Sequence, residues 1–161
     1  MKKIMSILVR NRPGVLSHVA GLVTRRGYNV ESIAAGPTEN REITRITLVV
    51  SGDEKVLEQV SKQVNKLIDV IKLDAIPHEF ALSGELALIT IEFAPERKSE
   101  IMSLIALLGL RVKNIEQDTV TIMISGSAQS VDSAINALAP FNIKAMARTG
   151  LVALPLKNGT T

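Results

Sequence analysis

The sequence predicts an α+β fold made of two tandem βαββαβ units, which is the ferredoxin-like arrangement. Three observations predict it. The two halves of the 161-residue chain repeat one pattern. In each half, apolar runs typical of strands alternate with stretches of helical periodicity. The same turn residues, Pro13 with Pro95 and Gly27 with Gly109, recur at corresponding places.

The repeat extends along most of the chain. The matching positions are Ile4 and Leu86, Pro13 and Pro95, Gly27 and Gly109, Val30 and Val112, Ile33 and Ile115, Leu57 and Val131, and Val64 and Leu138. A shorter hairpin in the second half separates the early matches from the late ones. Each match alone is weak, but together they keep the same order of elements in both halves. We interpret the pattern as an internal duplication; the alternative is two unrelated α+β domains.

The elements of the first unit follow from its periodicity. Residues 4–11 are apolar on both faces, which is typical of a covered strand. In the helix that follows, Pro13 suits the first turn, Arg25 and Arg26 the last turn, and Gly27 the left-handed residue after it. The apolar positions of this helix are Val15, Leu16, Val19, Leu22 and Val23. The next elements are strands at 30–35 and 43–51, a helix at about 53–67 and a strand at 70–73.

The second unit repeats this order. Its predicted strands are 86–93, 110–115, 120–125 and 143–147, and its predicted helices are about 96–108 and 128–138. We therefore expect a first domain at 1–76, a linker at 77–84 marked by Pro77 and Gly84, and a second domain at 85–156. Residues 157–161 are expected to form a frayed tail.

This architecture predicts self-association. Two helices can cover only one face of a four-stranded sheet, and a unit of about 75 residues is near the size at which a single core becomes marginal. In the first strand Met5, Ile7 and Val9 alternate with Ile4 and Leu8, so both of its faces need cover. We expect a homodimer whose subunits meet through the first unit.

Composition excludes several classes of protein. With 46% apolar and 22% charged residues, the chain is globular rather than disordered. No apolar run approaches the roughly 20 residues that a membrane helix needs, and we expect a cytoplasmic protein. The absence of cysteine excludes disulfides and thiolate metal sites, and two separated histidines speak against a histidine metal site. A net charge of +3 and 2% aromatic residues are weak signals for nucleic-acid binding.

The sequence carries no catalytic motif. It has no Ser/His/acid set at readable spacing, no HExxH, no P-loop and no GxGxxG. His18 falls in the first turn of the first helix, where the helix dipole disfavours a charged imidazole, so we interpret it as an exposed helix residue. Arg10 or Arg12 could imitate the arginine of ferredoxin-like acylphosphatases, but the glycine-rich phosphate cradle is missing. We predict no catalytic residue and no metal site.

Binding is better supported, and the residues point to the turn at 10–15. The free N–H groups of a helix start bind carboxylates well. Gly14 lacks a Cβ and allows close approach, and Asn11 can accept from an ammonium group as well as donate. Val15, Val30 and Ile33 would supply a small aliphatic lining. These features fit a zwitterion with a short branched side chain, although the same turn could simply open a helix.

Five segments resemble the ACT domain and the C-terminal end of acetolactate (acetohydroxyacid) synthase small subunits. They are NRPGVL at 11–16, RGYNVES at 26–32, GDEKVLEQV at 52–60, KLIDV at 66–70 and ARTG at 147–150. The resemblance spans almost the whole chain and keeps its order. Residues 111–121 of the second unit depart from the family's usual pattern.

The resemblance implies a regulatory subunit with no catalytic residue and no cofactor of its own. The large catalytic subunit would carry thiamine diphosphate, Mg2+ and FAD, would be activated by this chain, and would be inhibited by valine. In such proteins two ACT domains pair side by side and valine binds between them. Asn11, Gly14 and Val15 would contact valine from one chain, and Asn29 and Val30 from the other. Ser17 and Ile33 would support the site, and Arg12 receives no ligand role.

Two alternatives stay open from the sequence. One is a stand-alone ACT sensor that controls another enzyme or a transcription factor. It would share the amino-acid pocket but not the second unit with its Arg-Thr-Gly ending. The other is an RNA-recognition module, which has the same order of elements. That module needs stacking aromatic residues on its first and third strands, and residues 4–11 and 43–51 contain none.

Overall fold

The computed structural model describes residues 2–25 and 29–156, and these residues form two compact units. The first unit takes in the chain up to Ser83 and again from Leu151, and the second is Gly84–Gly150. In both units, helices α and strands β follow one another as βαββαβ, and the strands form an antiparallel sheet. The predicted α+β fold of two ferredoxin-like units is confirmed.

The first unit is a four-stranded sheet in the order β2-β3-β1-β4, so β2 and β4 are its edges. In the central pair, Ile7 of β1 lies opposite Ile46 of β3. The elements are β1 (Lys2–Arg10), α1 (Val15–Arg25), β2 (Asn29–Pro37), β3 (Ile43–Ser51), α2 (Glu54–Val64) and β4 (Val70–Ile76).

Alternate residues of the central strands pack against the two helices. This arrangement puts the period-2 pattern of the strands against the 3.6-residue pattern of the helices. The buried core consists of Met5, Ile7 and Val9 of β1, Ile46, Leu48 and Val50 of β3, Val15, Val19 and Val23 of α1, and Leu57, Val60 and Val64 of α2. The sequence had marked most of these positions as apolar members of the same elements.

Helix ends of the first unit differ from the prediction at two places. Pro13 and Gly14 form a turn before α1 rather than its first turn, and the first helical hydrogen bond runs from His18 N–H to Gly14 O at 2.9 Å. The second helix stops at Val64, where the predicted end was residue 67. The predicted left-handed Gly27 lies outside the described residues, as does Arg26. Its counterpart in the second unit, Gly109, has φ +63°.

The second unit repeats the arrangement with the strand order β6-β7-β5-β8. Its buried core unites β5, β7, α3 and α4 through residues such as Ile89, Ile122 and Ile101. The elements are β5 (Ala81–Glu92), a 3-10 helix (Pro95–Arg97), α3 (Lys98–Leu107), β6 (Arg111–Ile115), β7 (Thr119–Gly126), α4 (Ala128–Leu138) and β8 (Asn142–Arg148). A ninth strand, β9 (Val152–Pro155), follows.

The last strand of the chain lies with the first compact unit. Residues 151–156, assigned from the sequence to the second domain, belong to the first unit, where β9 packs against β1 and β4. On the face of those strands that points away from the helices, Ile4 and Ile76 are buried. The second apolar face of β1 is therefore covered in part by β9, the last strand of the same chain.

The expected linker at 77–84 is also more regular than predicted. It contains a 3-10 helix, His78–Phe80, and β5 already begins at Ala81. Leu156 N–H donates to Phe80 O at 2.9 Å, which ties this segment to the end of the chain within the first unit. The predicted tail at 157–161 lies outside the described residues.

The second helices of the two units carry equivalent caps. The Asp53 carboxylate accepts from Val56 N–H at 2.8 Å, and the Ser127 hydroxyl accepts from Ser130 N–H at 3.1 Å. Each cap satisfies one backbone donor that a helix start leaves unpaired. The two caps occupy corresponding places in the repeat.

Replacing the first cap should destabilise the first unit. Asp53→Ala removes the acceptor, so we expect the free energy of unfolding in urea to fall by about 1 kcal/mol. The control is Asp53→Asn, which keeps a side-chain oxygen and should lose much less. Equal losses for the two variants would show that the hydrogen bond to Val56 is not what Asp53 contributes.

Candidate functional site

The turn between β1 and α1 is held in place by two neighbouring loops. Arg10 N–H donates to Asp69 O at 2.9 Å, just before β4, and Asn11 N–H donates to Glu42 O at 2.7 Å, just before β3. These bonds anchor the backbone on both sides, so the residues that follow can be exposed and still well positioned. The turn predicted to bind a ligand is thus a rigid feature of the first unit.

The start of α1 presents unpaired backbone donors. Val15 N–H makes a long hydrogen bond of 3.4 Å to Arg12 O, and His18 N–H is the first to bond within the helix. Leu16 and Ser17 N–H donate to no acceptor in the described part of the chain. The first turn of α1 also lacks an acidic side chain. A ligand carboxylate would therefore meet free donors and the positive end of an uncompensated helix dipole.

Gly14 has a conformational role in addition to the one predicted. Its φ is +87°, in the left-handed region that residues with a Cβ rarely adopt. A Cβ built on it would meet nothing within 4 Å, so the space beside the backbone is open. The glycine both allows the turn and leaves room for an approaching group.

One of the two polar groups of the Asn11 side chain is bonded to the protein itself. Its side-chain Nδ2 donates to Arg41 O at 2.8 Å, which ties the turn to the loop between β2 and β3. The predicted donation to a ligand is therefore taken by Arg41. The side-chain oxygen has no partner among residues 2–25 and 29–156, so it can accept from an ammonium group.

Fewer of the predicted aliphatic side chains are accessible to a ligand in the structure than the sequence suggested. Val15 is 4% exposed and belongs to the core, and Val30 also packs against that core. Val15 can therefore offer a ligand almost no accessible surface. Ile33 is 38% exposed and stays accessible. Leu16, 47% exposed and next to the free donors, was missed as a site residue because its spacing reads as part of the buried helix face.

Asn29 and Val30 lie at the far end of the sheet from the turn. Asn29 pairs with Ser51 at the end of β3, whereas Arg10 pairs with Ile43 at its beginning. At about 3.3 Å per residue the two ends are roughly 25 Å apart. The Asn29 Nδ2 donates to Ser51 Oγ at 2.8 Å. One chain cannot bring both groups of predicted residues to one small ligand.

Other features considered from the sequence add no further ligand contact to this region. Ser17 and His18 are exposed on the first turn of α1. Within the described ranges, no group of three or more His, Asp or Glu side chains could hold a metal ion. In those same ranges, no helix combines the length and the apolar character needed to cross a bilayer.

The corresponding turn of the second unit is built differently. The position of Gly14 is taken by Glu96, and the Arg97 guanidinium lies 4.4 Å from the Phe141 ring centroid. Arg97 also donates to both carboxylate oxygens of Glu100, at 2.8 and 2.9 Å. An open cleft of about 480 Å³ here is lined in part by Arg97 and Phe141, which already contact each other. The free-donor turn is a property of the first unit.

Comparison with known proteins places both units in one family. Residues 5–72 match the family described as AHAS (acetohydroxyacid synthase) small subunit-like ACT domain, and residues 84–156 match the family described as small subunit of acetolactate synthase.

Individual relatives match over nearly the whole chain. The chain is 43% identical over 154 residues to a probable acetolactate synthase small subunit of Archaeoglobus fulgidus, covering 96% of each chain. It is 40% identical to the acetolactate synthase small subunit of Bacillus subtilis, covering 95% of this chain and 90% of that one. The crystal structure of the acetolactate synthase small subunit from Thermotoga maritima superimposes with a TM-score of 0.89, at 36% identity, over 96% of this chain and 97% of the other.

Proposed function

Because the chain belongs to the family of acetolactate synthase small subunits, we propose that it activates a large catalytic subunit and makes that subunit sensitive to valine. The large subunit would hold thiamine diphosphate, Mg2+ and FAD and would join pyruvate to a second 2-keto acid. This chain would contribute no catalytic group. Its role would be to bind the large subunit and valine.

The observation that carries the ligand proposal is the set of free polar groups at the first turn. The unpaired N–H groups of Leu16 and Ser17 are suited to a carboxylate, and the Asn11 side-chain oxygen is suited to an ammonium group. An α-amino acid carries both groups on one carbon. The exposed Leu16 side chain next to these donors suits an aliphatic amino acid better than a polar one.

The distance between the two predicted groups of residues supports a site shared by two chains. β2 is an edge strand, and antiparallel pairing of two β2 edges across a twofold axis would reverse their directions. The Asn29 end of one β2 would then lie beside the Pro37 end of the other, the end at which the turn lies. The same pairing would cover the exposed edge of each sheet.

A shared site gives valine a way to act at a distance. Valine would bind tightly only when both chains enclose it, so it would favour one arrangement of the dimer over others. That difference in affinity is the coupling free energy that allostery needs, typically about 1–3 kcal/mol. A methylene group is worth about 1–3 kcal/mol in a pocket, so leucine and isoleucine should inhibit less strongly than valine.

The alternative of a stand-alone ACT sensor is less well supported. Such a sensor would need only the first unit, whereas residues 84–156 match the small-subunit family as well. The second unit also ends in the Arg148-Thr149-Gly150 segment, whose contacts are integral to that unit's fold.

Purification with the large subunit from the same cell tests the function. We expect the large subunit alone to form acetolactate slowly, the mixture to form it faster, and valine to lower only the rate of the mixture. If the chain neither bound nor activated the large subunit, the proposed role would be wrong. Activation without an effect of valine would contradict the proposed ligand but not the proposed activation.

Asn29→Ala should weaken valine binding. The change removes a polar contact that the second chain would provide, and we expect the dissociation constant from titration calorimetry to rise about tenfold, or about 1.4 kcal/mol. Ser51→Ala is a matched control, because it removes the internal partner of Asn29 but keeps the amide. The exposed α2 variant Gln59→Ala should bind like the unmodified protein. Unchanged affinity in Asn29→Ala would remove the contact across the dimer.

A further inference from the structure

The outer edge of the second unit's sheet is an open strand with exposed apolar side chains. β6 is the last strand on its side of the sheet, and its five residues, Arg111–Ile115, are all exposed. Val112 is 37% exposed and Ile115 46% exposed. An open strand edge leaves backbone donors and acceptors ready to pair with another strand.

The end of α3 extends this apolar surface. Leu107 is 84% exposed and Leu108 37% exposed, and only two residues separate them from β6. Adjacent exposed leucines next to an open strand differ from the isolated apolar residues that occur on most protein surfaces. We call the strand β6 together with Leu107 and Leu108 the β6 edge.

A bulge in β6 brings its apolar residues to one face. The pairing with β7 shifts between Val112 and Asn114, so Val112 lies opposite Ile122 and Ile115 lies opposite Val120. Both partners are buried core residues. Val112 and Ile115 therefore lie on the same face of the sheet, as residues three apart in a regular strand would not.

The charges of the β6 edge are arranged from positive to negative along the strand. Arg111 and Lys113, near its beginning, have no ion pair among residues 2–25 and 29–156. Glu116 follows its end, and its carboxylate accepts from Asn114 Nδ2 at 3.1 Å and Thr119 Oγ1 at 3.5 Å. When two copies of the strand run antiparallel, the positive beginning of one lies beside the negative end of the other.

We propose that the β6 edge pairs with the β6 edge of a second copy of this chain, in an antiparallel contact across a twofold axis. Reversal would bring Val112 beside the second copy's Ile115, and Arg111 beside the second copy's Glu116. Apolar residues would then meet apolar residues, and opposite charges would meet each other. In the repeat, β6 corresponds to β2, but this contact needs neither valine nor the β2 edge.

Cysteine cross-linking of the full chain tests the contact, because the chain has no native cysteine. In the double variant Val112→Cys/Ile115→Cys each cysteine would lie opposite a cysteine of the second copy, and cross-strand neighbours have Cα atoms about 4.5–5.5 Å apart, within the range of a disulfide. Mild oxidation should convert this variant to a covalent dimer that a reductant reverses. Lys55→Cys, in the first turn of α2, is the control and should stay largely monomeric on a non-reducing gel. Cross-linking of Val112→Cys/Ile115→Cys no faster than of Lys55→Cys would overturn the proposal.

A charge exchange in the same background tests the proposed orientation. Adding Arg111→Glu to Val112→Cys/Ile115→Cys should place like charges together and lower the cross-linking rate about tenfold. Adding Glu116→Arg as well should restore the rate, because the pair is then reversed rather than lost. A merely misfolded edge would not recover in this way. Failure of the second exchange to restore cross-linking would contradict the antiparallel pairing.

Discussion

Gly14→Asp is expected to abolish inhibition by valine while the large subunit stays activated. The new carboxylate would lie beside the unpaired N–H groups of Leu16 and Ser17, where the ligand's own carboxylate is proposed to bind. Loss of charge-assisted hydrogen bonds worth about 1.5–3 kcal/mol corresponds to roughly a tenfold to hundredfold loss of affinity, and like-charge repulsion adds to it. The measurement is the valine concentration that halves acetolactate formation.

Backbone strain must be separated from charge in this experiment. Because Gly14 has φ +87°, any side chain there is strained, at a cost of about 1–2 kcal/mol. Gly14→Ala carries the same strain without the charge, and its Cβ has open space. We expect Gly14→Ala to keep most of its sensitivity to valine. Equal sensitivity of the aspartate variant and the unmodified protein would refute the placement of the ligand.

Arg148→Met is expected to destabilise the second unit strongly. Glu85 has a side chain only 5% exposed, and Arg148 Nε donates to its Oε1 at 2.8 Å. Arg148 Nη1 also lies 2.8 Å from Asp132 Oδ1 of α4. Removing the arginine would leave a buried carboxylate unpaired. Such losses cost about 3–5 kcal/mol, and we expect about 2–4 kcal/mol because the arginine side chain is itself 34% exposed.

The loss should appear in urea unfolding followed by circular dichroism, with hydrogen exchange showing faster exchange in Gly84–Gly150. In the double variant Arg148→Met/Glu85→Gln no unpaired buried carboxylate remains at position 85, so part of the stability should return. The exposed pair of Glu58 and Lys62 is the control, and Lys62→Met should change stability little. If Arg148→Met lost no more stability than Lys62→Met, the ion pair would not hold these elements together.

The Arg148 contacts give a physical role to a segment that the sequence identified only by resemblance. The hydrogen bond to Glu85 raises the pKa of Arg148, which favours the charged guanidinium. Next to it, Thr149 N–H donates to Leu86 O at 3.0 Å, and Thr149 Oγ1 accepts from Leu86 N–H at 3.1 Å. Gly150 then turns the chain with φ +76°. The three residues therefore close the sheet and redirect the chain.

Elements with a clear periodicity were predicted to within a residue or two. β3 and α4 have the predicted bounds, Ile43–Ser51 and Ala128–Leu138, because their apolar residues follow a single period. The end of α2 was placed too late. After Val64, Leu67 N–H donates to Val64 O at 3.1 Å in a tighter turn, yet Leu67 still packs against the core. An apolar residue thus continued the pattern after the helical backbone had ended.

Strand register could not be obtained from the repeat. Ile7 lies opposite Ile46 in the first unit, and the corresponding residues in the second are Ile89 and Val120. Ile89 instead lies opposite Ile122. A change of two residues keeps the same side chains on the core face, so the hydrophobic pattern does not distinguish the two registers.

The sequence by itself determined the order of elements, the faces that form each core, the turn with Gly14 and the family, because these depend on local periodicity and short motifs. Only the tertiary structure decided which distant groups satisfy one another. In the structure, the Asn11 side-chain nitrogen donates to Arg41 O and Val15 is buried. Asn29 lies far from the turn, and β9 belongs to the first unit. The spacing of residues along the chain shows that an apolar surface or a hydrogen-bond donor needs a partner. Which residue becomes that partner depends on contacts between segments that are distant in sequence.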